Sequence, residues 1–323
     1  MSQGGTIPVV VRSATTVSRD VRQLQFSRRD GQRLPPFTPG AHIDLHLAPG
    51  LIRQYSLCGA VEDDALYTVA VKLEPQSRGG SRAVHERLKP GTELDISLPR
   101  NNFPIDLDAS HSILIAGGIG ITPLLCMARA LVQKGGSFKL HYFSRSAEHA
   151  AFLDVLQGAG FAGQTEPHFE QNHEETAASL KQALDAPRPG AQLYLCGPRA
   201  FMDLVCNVAS ERGWPKASVH LEYFNAGQQA PATSESELRV TLARTGITVA
   251  VPPGATIVDV LRAAGVDVDT SCEQGVCGTC ITRVLDGIPE HRDLFLTEDE
   301  KARGDCMALC VSRAVTPHLV LDL

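Results

Sequence analysis

The sequence predicts a multidomain chain: a small antiparallel β-barrel, then a parallel α/β sheet, then a compact C-terminal β-grasp unit. Three observations carry this expectation. Residues 7–107 are short apolar strands cut by Pro/Gly turns, among them Pro35-Pro36, Pro39-Gly40, Pro49-Gly50 and Pro90-Gly91, the punctuation of a barrel. Residues 111–225 alternate apolar strands with helical stretches across Gly-rich turns, as a parallel sheet requires. Beyond a linker, three cysteines share one Gly-rich loop and a fourth follows far downstream. The expected boundaries are 1–108, 109–226, a linker over 227–236, and 237–323.

In the first part, strands are expected over 8–11, 21–26, 42–47, 67–71 and 93–97. A further strand, Arg53-Gln54-Tyr55-Ser56-Leu57, sets Arg53 and Tyr55 on one side by alternation. There a guanidinium can hold a phosphate while a ring lies against a flat heterocycle. Ser77-Arg78-Gly79-Gly80-Ser81-Arg82 is a Gly-rich turn leading into a helix, whose free N–H groups suit an anion. On physics alone a surface ion pair, a core tyrosine and a plain turn explain these residues equally well. His85 and His220 are expected to be hydrogen-bonded structural residues, and Asn101-Asn102-Phe103 to shape the barrel rim.

In the second part, a strand over 112–116 runs into Gly117-Gly118-Ile119-Gly120-Ile121-Thr122-Pro123 and a helix over 124–134. Further strands are expected over 139–143, 192–196 and 219–223, with helices over 150–157, 177–184 and from Gly197-Pro198 to about residue 210. The glycine run is not the dinucleotide fingerprint G-x-G-x-x-G, because Pro123 occupies the place of its last glycine. Ser144-Arg145 also stands where an acidic residue would bond a ribose. A nucleotide crevice of another type remains open. His168, Glu170 and His173 read as a polar surface loop whose histidines ligate nothing.

Residues 226–236 are small, polar and unpatterned, as in a linker. A hairpin over 238–243 and 247–251 and a helix over 256–264 suggest the β-grasp. Cys272, Cys277, Cys280 and Cys310 follow the C-x4-C-x2-C…C spacing of a plant-type 2Fe-2S cluster. Gly275 and Gly278 supply the dihedrals needed to wrap a backbone around it. Zinc or plain burial are the alternatives, but structural zinc usually draws on paired knuckles and only one C-x2-C is present. Cys306 lies four residues before Cys310, and a shift of register would exchange the roles of the two.

Composition and charge narrow the class. Nine cysteines, an odd number, without an export signal argue for a reducing, cytoplasmic setting. No apolar run is long enough to span a bilayer; residues 113–125 are short and broken by three glycines. From Ser234 onward 14 Asp/Glu face 8 Lys/Arg, a net of −6, whereas the preceding residues hold 22 of each. The whole formal charge of −6 thus sits on the cysteine-bearing segment. That field disfavours nucleic acid and suits a partner with a basic face, although a merely solvated acidic surface explains it as well.

These pieces in this order resemble the phthalate dioxygenase reductase family, which includes the vanillate demethylase reductases. The resemblance spans nearly the whole chain. It rests on Arg53-x-Tyr55-Ser56-Leu57, Ser77-Arg78-Gly79-Gly80-Ser81, the run from Gly117 to Pro123, Cys196-Gly197-Pro198, Glu222-Tyr223-Phe224 and the four spaced cysteines. It implies a flavin-binding antiparallel β-barrel carrying FMN, an NAD domain of the ferredoxin-reductase type, and a plant-type 2Fe-2S ferredoxin. Arg53, Tyr55, Ser56, Leu57, Val71 and Lys72 would line the flavin, with Gly79, Gly80 and Ser81 on its phosphate. Thr122 and Phe224 would approach the isoalloxazine. Gly118, Gly120 and Pro123 would shape the nucleotide site, and Cys196, Gly197 and Pro198 would lie near the nicotinamide. Thr122, Cys196 and Phe224 are therefore the expected catalytic positions. Cys272, Cys277, Cys280 and Cys310 would bind the metal, the family's spacing taking Cys310 as the fourth ligand and leaving Cys306 as a small apolar filler. NADH is implied over NADPH.

Hydride transfer moves two electrons and the cluster takes one at a time, so a flavin between them reconciles the two. The expected protein is the NADH-dependent reductase of a two-component Rieske oxygenase. Its acidic ferredoxin domain would dock the terminal oxygenase, with no nucleic acid or membrane partner. One rival is a self-contained NAD(P)H flavin reductase with an accessory cluster; the other is a zinc-stabilised binding module without enzymatic activity.

Overall fold

A computed structural model of the chain describes residues 5–75, 79–224 and 237–323. The expected linker over 227–236, together with Ser77 and Arg78 of the Gly-rich turn, lies outside the described residues. The chain divides into two units, Met1–Glu222 and Tyr223–Leu323.

The first unit opens with β1 (Thr6–Ser18), β2 (Val21–Arg28), β3 (His42–Ala48), β4 (Leu51–Ser56), β5 (Tyr67–Lys72), α1 (Gly80–Arg87) and β6 (Glu93–Ser97). These strands form one antiparallel sheet in the order β4-β3-β6-β1-β2-β5. A bridge between Leu57 and Val69 joins its two edges, and Cys58 N–H donates to the Thr68 carbonyl at 2.9 Å. The sheet is thereby closed on itself, which removes its exposed edges. Val9, Leu24, Phe26, Ile43, Leu45, Tyr67 and Ile96, all shielded from solvent, fill the interior.

The chain continues through β7 (His111–Gly117), α2 (Ile121–Lys134), β8 (Phe138–Ser144), α3 (Leu153–Leu156), β9 (Thr165–Phe169), α4 (His173–Ala183), β10 (Ala191–Cys196), α5 (Arg199–Glu211) and β11 (Val219–Glu222). The five strands are all parallel, in the order β11-β10-β7-β8-β9. Leu114, Ile115, Leu193 and Leu195 are fully buried, as befits central strands covered on both faces. Two expectations fail here. The helix over 150–157 shrinks to Leu153–Leu156 because Phe152 adopts a left-handed conformation that stops it on the N-terminal side. Residues 165–169 form the edge strand β9 rather than a polar loop, so His168 is buried and not a surface histidine.

The second unit holds β12 (Leu238–Leu242), β13 (Thr248–Val251), α6 (Ile257–Ala263), β14 (Ile281–Asp286), β15 (Pro289–Glu290), α7 (Glu298–Arg303), β16 (Cys306–Ala308), β17 (Arg313–Ala314) and β18 (His318–Leu321). Its sheet runs β13-β12-β18-β14-β16, with β12 and β18 parallel and the other pairs antiparallel. Thr256 caps α6 by accepting from Asp259 N–H at 3.0 Å. Val240, Leu242, Leu261, Met307 and Leu319 form a core of its own.

Candidate functional site

In the first unit the end of β4 meets the C-terminal edge of the parallel sheet. Ser56 Oγ donates to Glu222 Oε2 at 3.4 Å, and Glu222 lies in register with Cys196 on the neighbouring strand. Burial pushes the Glu222 carboxyl up to about 8, against the opposing pull of the Ser56 hydroxyl. It likewise pushes the fully buried Cys196 thiol well above its usual range, with Glu222 adding to the effect. Ligands of open parallel sheets bind at such carboxyl ends, and here a barrel strand supplies the opposite wall.

Close backbone approach explains the glycine-rich turn better than phosphate binding does. Gly117 ends β7, and residues 118–120 make one tight helical turn before α2. A Cβ on Gly120 would strike the carbonyl of Cys196, and one on Gly197 would come within 3.1 Å of Gly117 Cα. The two turns therefore pack main chain against main chain. Thr122 is only 2% exposed and its hydroxyl donates to the Ile119 carbonyl at 3.0 Å, so its side chain is spent on the turn. Pro123 is the third residue of α2, within the first turn, where an N–H has no partner inside the helix and its absence costs nothing.

On the barrel side, β4 carries Arg53, Tyr55 and Ser56, and β5 carries Val71 and Lys72. Leu57 and Val71 belong to the core, so any ligand contact from them comes through the backbone. Lys72 Nζ pairs with Glu74 at 3.0 Å. Gly79 precedes α1 with φ 91°, and a Cβ on Gly80 would meet Arg53 Cγ at 2.5 Å. Glycine at 80 thus lets the arginine stem lie under the first helical turn, bringing a cation beside the N–H groups of that turn. That cradle fits a flavin phosphate. Ser81 Oγ accepts from Glu74 N–H at 3.1 Å, leaving its own proton to donate. His85 Nε2 lies 2.8 Å from the Val71 carbonyl and His220 Nε2 lies 2.8 Å from Gln192 Oε1, the structural roles expected of both. Phe224 is half-buried and belongs to the second unit.

In the second unit, Cys272, Cys280 and Cys310 are buried, Cys277 is half-buried, and none forms a disulfide. The thiols act on one another two by two: proton sharing with Cys272 holds Cys277 below the usual thiol range and Cys272 above it, and sharing with Cys310 lowers Cys280 and raises Cys310. Gln274 N–H points at Cys272 Sγ from 3.3 Å. One tetrahedral zinc would hold its four sulfurs about 3.8 Å apart. Among the described residues the single set of three donors mutually within 4.8 Å lies elsewhere, so these sulfurs do not close into one tetrahedron. Two pairs fit two irons. Cys306 is half-exposed beside Asp305 rather than a buried filler.

Gly275 and Gly278 have φ of 72° and 75°, as a wrapping loop demands. A Cβ on Gly278 would collide with the ring of Phe295, which lies over the loop although 42% exposed. Glu222 and Phe295 are the residues that sequence reasoning passed over. Glu222 stood inside a quoted motif without a role, and only the β10–β11 register reveals its place beside Cys196.

A family model described as "2Fe-2S iron-sulfur cluster binding domain" matches residues 240–315. Another, "Dimethylamine monooxygenase subunit DmmA-like, N-terminal domain", matches residues 97–219. The chain is 45% identical over 317 residues to a vanillate O-demethylase oxidoreductase of Pseudomonas sp. strain HR199, covering 98% of this chain and 100% of that one. It is 37% identical over 322 residues to the phthalate dioxygenase reductase of Burkholderia cepacia, covering 99% and 98%. A solved phthalate dioxygenase reductase, described as a modular structure for electron transfer from pyridine nucleotides to a 2Fe-2S centre, superposes with a TM-score of 0.81 at 37% identity, over 99% of this chain and 98% of that one. Barrel, parallel sheet and paired thiols define a flavin-dependent, iron–sulfur oxidoreductase of the ferredoxin-reductase type. Within that class the assignment is narrow. The chain belongs to the phthalate dioxygenase reductase family, alongside the vanillate O-demethylase reductases.

Proposed function

We propose that this chain is the NADH-dependent reductase of a two-component Rieske oxygenase, with FMN on the barrel and the 2Fe-2S cluster as the exit for electrons. The flavin supplies the conversion of a hydride into single electrons. The chain's own residues bind and orient. Arg53 and the amides at Gly79, Gly80 and Ser81 hold the phosphate, while Tyr55, Ser56 and Lys72 line the ring system. Gly118, Gly120 and Pro123 shape the nucleotide crevice beneath Cys196, Gly197 and Pro198. Glu222 keeps its proton at neutral pH and steadies the Ser56 hydroxyl. Thr122 supports the turn. Cys272, Cys277, Cys280 and Cys310 ligate the irons. The domain limits are 1–108, 109–226 and 237–323, and the setting is cytoplasmic. The oxygenase docks on the acidic third domain.

The observation that carries this reading is the loop that gathers Cys272, Cys277 and Cys280, wrapped at Gly275 and Gly278 with φ of 72° and 75° and aiming Gln274 N–H at Cys272 Sγ, in a chain whose other unit has the barrel and crevice. Replacing Cys277 by serine tests it. NADH-dependent reduction of dichlorophenolindophenol should stay within about 2-fold of wild type, while reduction of cytochrome c, a one-electron acceptor, falls about 100-fold. Unchanged cytochrome c reduction would take the cluster out of the path.

A second reading concerns the nucleotide alone. Ser144 closes β8 and Arg145 follows it, exposed, where a cation can meet a 2′-phosphate. Comparing kcat/KM for NADH and NADPH decides between them, and a preference for NADPH that Arg145→Ala abolishes favours the second.

A further inference from the structure

A separate group of donors lies at the edge of the parallel sheet. His141 stands on β8, opposite Glu166 of β9 in register, and His168 lies opposite Phe143. Alternation brings Lys139, His141 and Phe143 to the same face as Glu166 and His168. The imidazoles approach, Nδ1 of His141 to Nε2 of His168, at 3.1 Å. Both oxygens of Glu166 turn toward them, Oε2 at 3.9 Å from His141 Nδ1 and Oε1 at 3.9 Å from His168 Nε2. The three ligand atoms lie within 4.8 Å of one another. His141 is 5% and His168 9% exposed, whereas half of the Glu166 side chain faces solvent.

The arrangement is held from behind. The His168 ring stacks on Phe143 at 4.2 Å, with 9° between the planes. Burial lowers both imidazoles below the usual histidine range, His141 to about 4, so at neutral pH both are uncharged and keep lone pairs. A hydrogen bond between the rings accounts for their approach. It does not account for a carboxylate presenting one oxygen to each of the same two nitrogens. Two nitrogens bound to one zinc lie about 3.3 Å apart, within a few tenths of an ångström of the distance found.

We propose that His141 Nδ1, His168 Nε2 and the Glu166 carboxylate form a binding site for a divalent transition-metal ion of the zinc type, with water from the exposed side as fourth ligand. Imidazole nitrogen selects zinc over magnesium or calcium. The ion ties the edge strand β9 to β8 through side chains as well as through the ladder. Lys139 Nζ, 3.3 Å from Glu166, competes for the carboxylate and weakens the site. This proposal is independent of the electron-transfer reading and survives its failure.

The test uses the holoenzyme, dialysed against EDTA, with iron and flavin content verified beforehand. It is titrated with zinc chloride, and bound zinc is measured by mass spectrometry after gel filtration. The expected result is one zinc per chain beyond the cluster iron, with His168→Gln weakening binding about 100-fold. Lys139→Gln should tighten binding several-fold, a direction that a purely structural ion pair does not produce. If His168→Gln fails to fold, the solvent-facing Glu166→Gln carries the same expectation at about 10-fold. No retained zinc in wild type, or equal retention by a folded His168→Gln or Glu166→Gln protein, overturns the proposal.

Discussion

Gly120 shows how much one missing methyl group decides. Its Cα rests against the carbonyl of Cys196, so any side chain there forces apart the turns that frame the crevice. Gly120→Ala should cost about 3 kcal/mol of stability to urea, as overpacking against backbone does, and should raise the KM for nucleotide. Glu222 makes a pH prediction. Its carboxyl is raised from 4.5 to about 8 in the folded chain. The unfolded chain gives up that proton near its ordinary value, and the folded chain holds it to about pH 8. Stability is therefore lost as pH rises between the two. Urea melts of Glu222→Gln should lack that part of the decline, and parallel curves for variant and wild type would rule it out. The thiolate spacing was fully legible in the sequence because cluster geometry imposes it. Glu222 was not, because strand pairing brings Cys196 to it and the packing of barrel against sheet brings Ser56.

At the level of elements, strands with alternating or continuous apolar patterns were read from the sequence, and β6 appears over the residues expected. Edge strand β9 was missed for a physical reason. Thr165, Glu166 and Pro167 mostly face solvent, so half its pattern is polar, and His168 hides from a hydropathy reading although it is buried. Helix α4 begins four residues earlier than its apolar positions suggest. Asn172 and Glu175 form a reciprocal cap, with Glu175 N–H donating to Asn172 Oδ1 at 3.0 Å and Asn172 N–H to Glu175 Oε2 at 2.8 Å. Such a cap starts a helix without hydrophobic help. Asn172→Ala should destabilise the first unit by about 1 kcal/mol, read from the midpoint of its urea transition; no change would mean that α4 is held by packing alone.

For the whole molecule, each of the two units has its own core, so their stabilities are separable. Stripping the iron with a chelator should lower the melting transition of the unit from Tyr223 to Leu323 by about 10 °C or more, since bound metal stabilises only what binds it. The transition of Met1–Glu222 should stay in place, and a joint shift in calorimetry would refute independence. The three-part architecture was legible because strands cut by Pro/Gly turns, strands alternating with helices, and a hairpin followed by a Cys-bearing loop succeed one another along the chain. The meeting of barrel and sheet at Ser56 and Glu222 was not, since no local pattern encodes it.

The seam between Gly120 and Cys196 also has a kinetic side. Its two turns close β7 and β10, strands that pair in parallel although β8, β9 and three helices intervene in the chain. Such distant pairing is slow to form. A nascent chain that has not yet released Cys196 from the ribosome can complete its barrel sheet but has no pocket for nucleotide, so the ability to take up reducing power matures last within this unit.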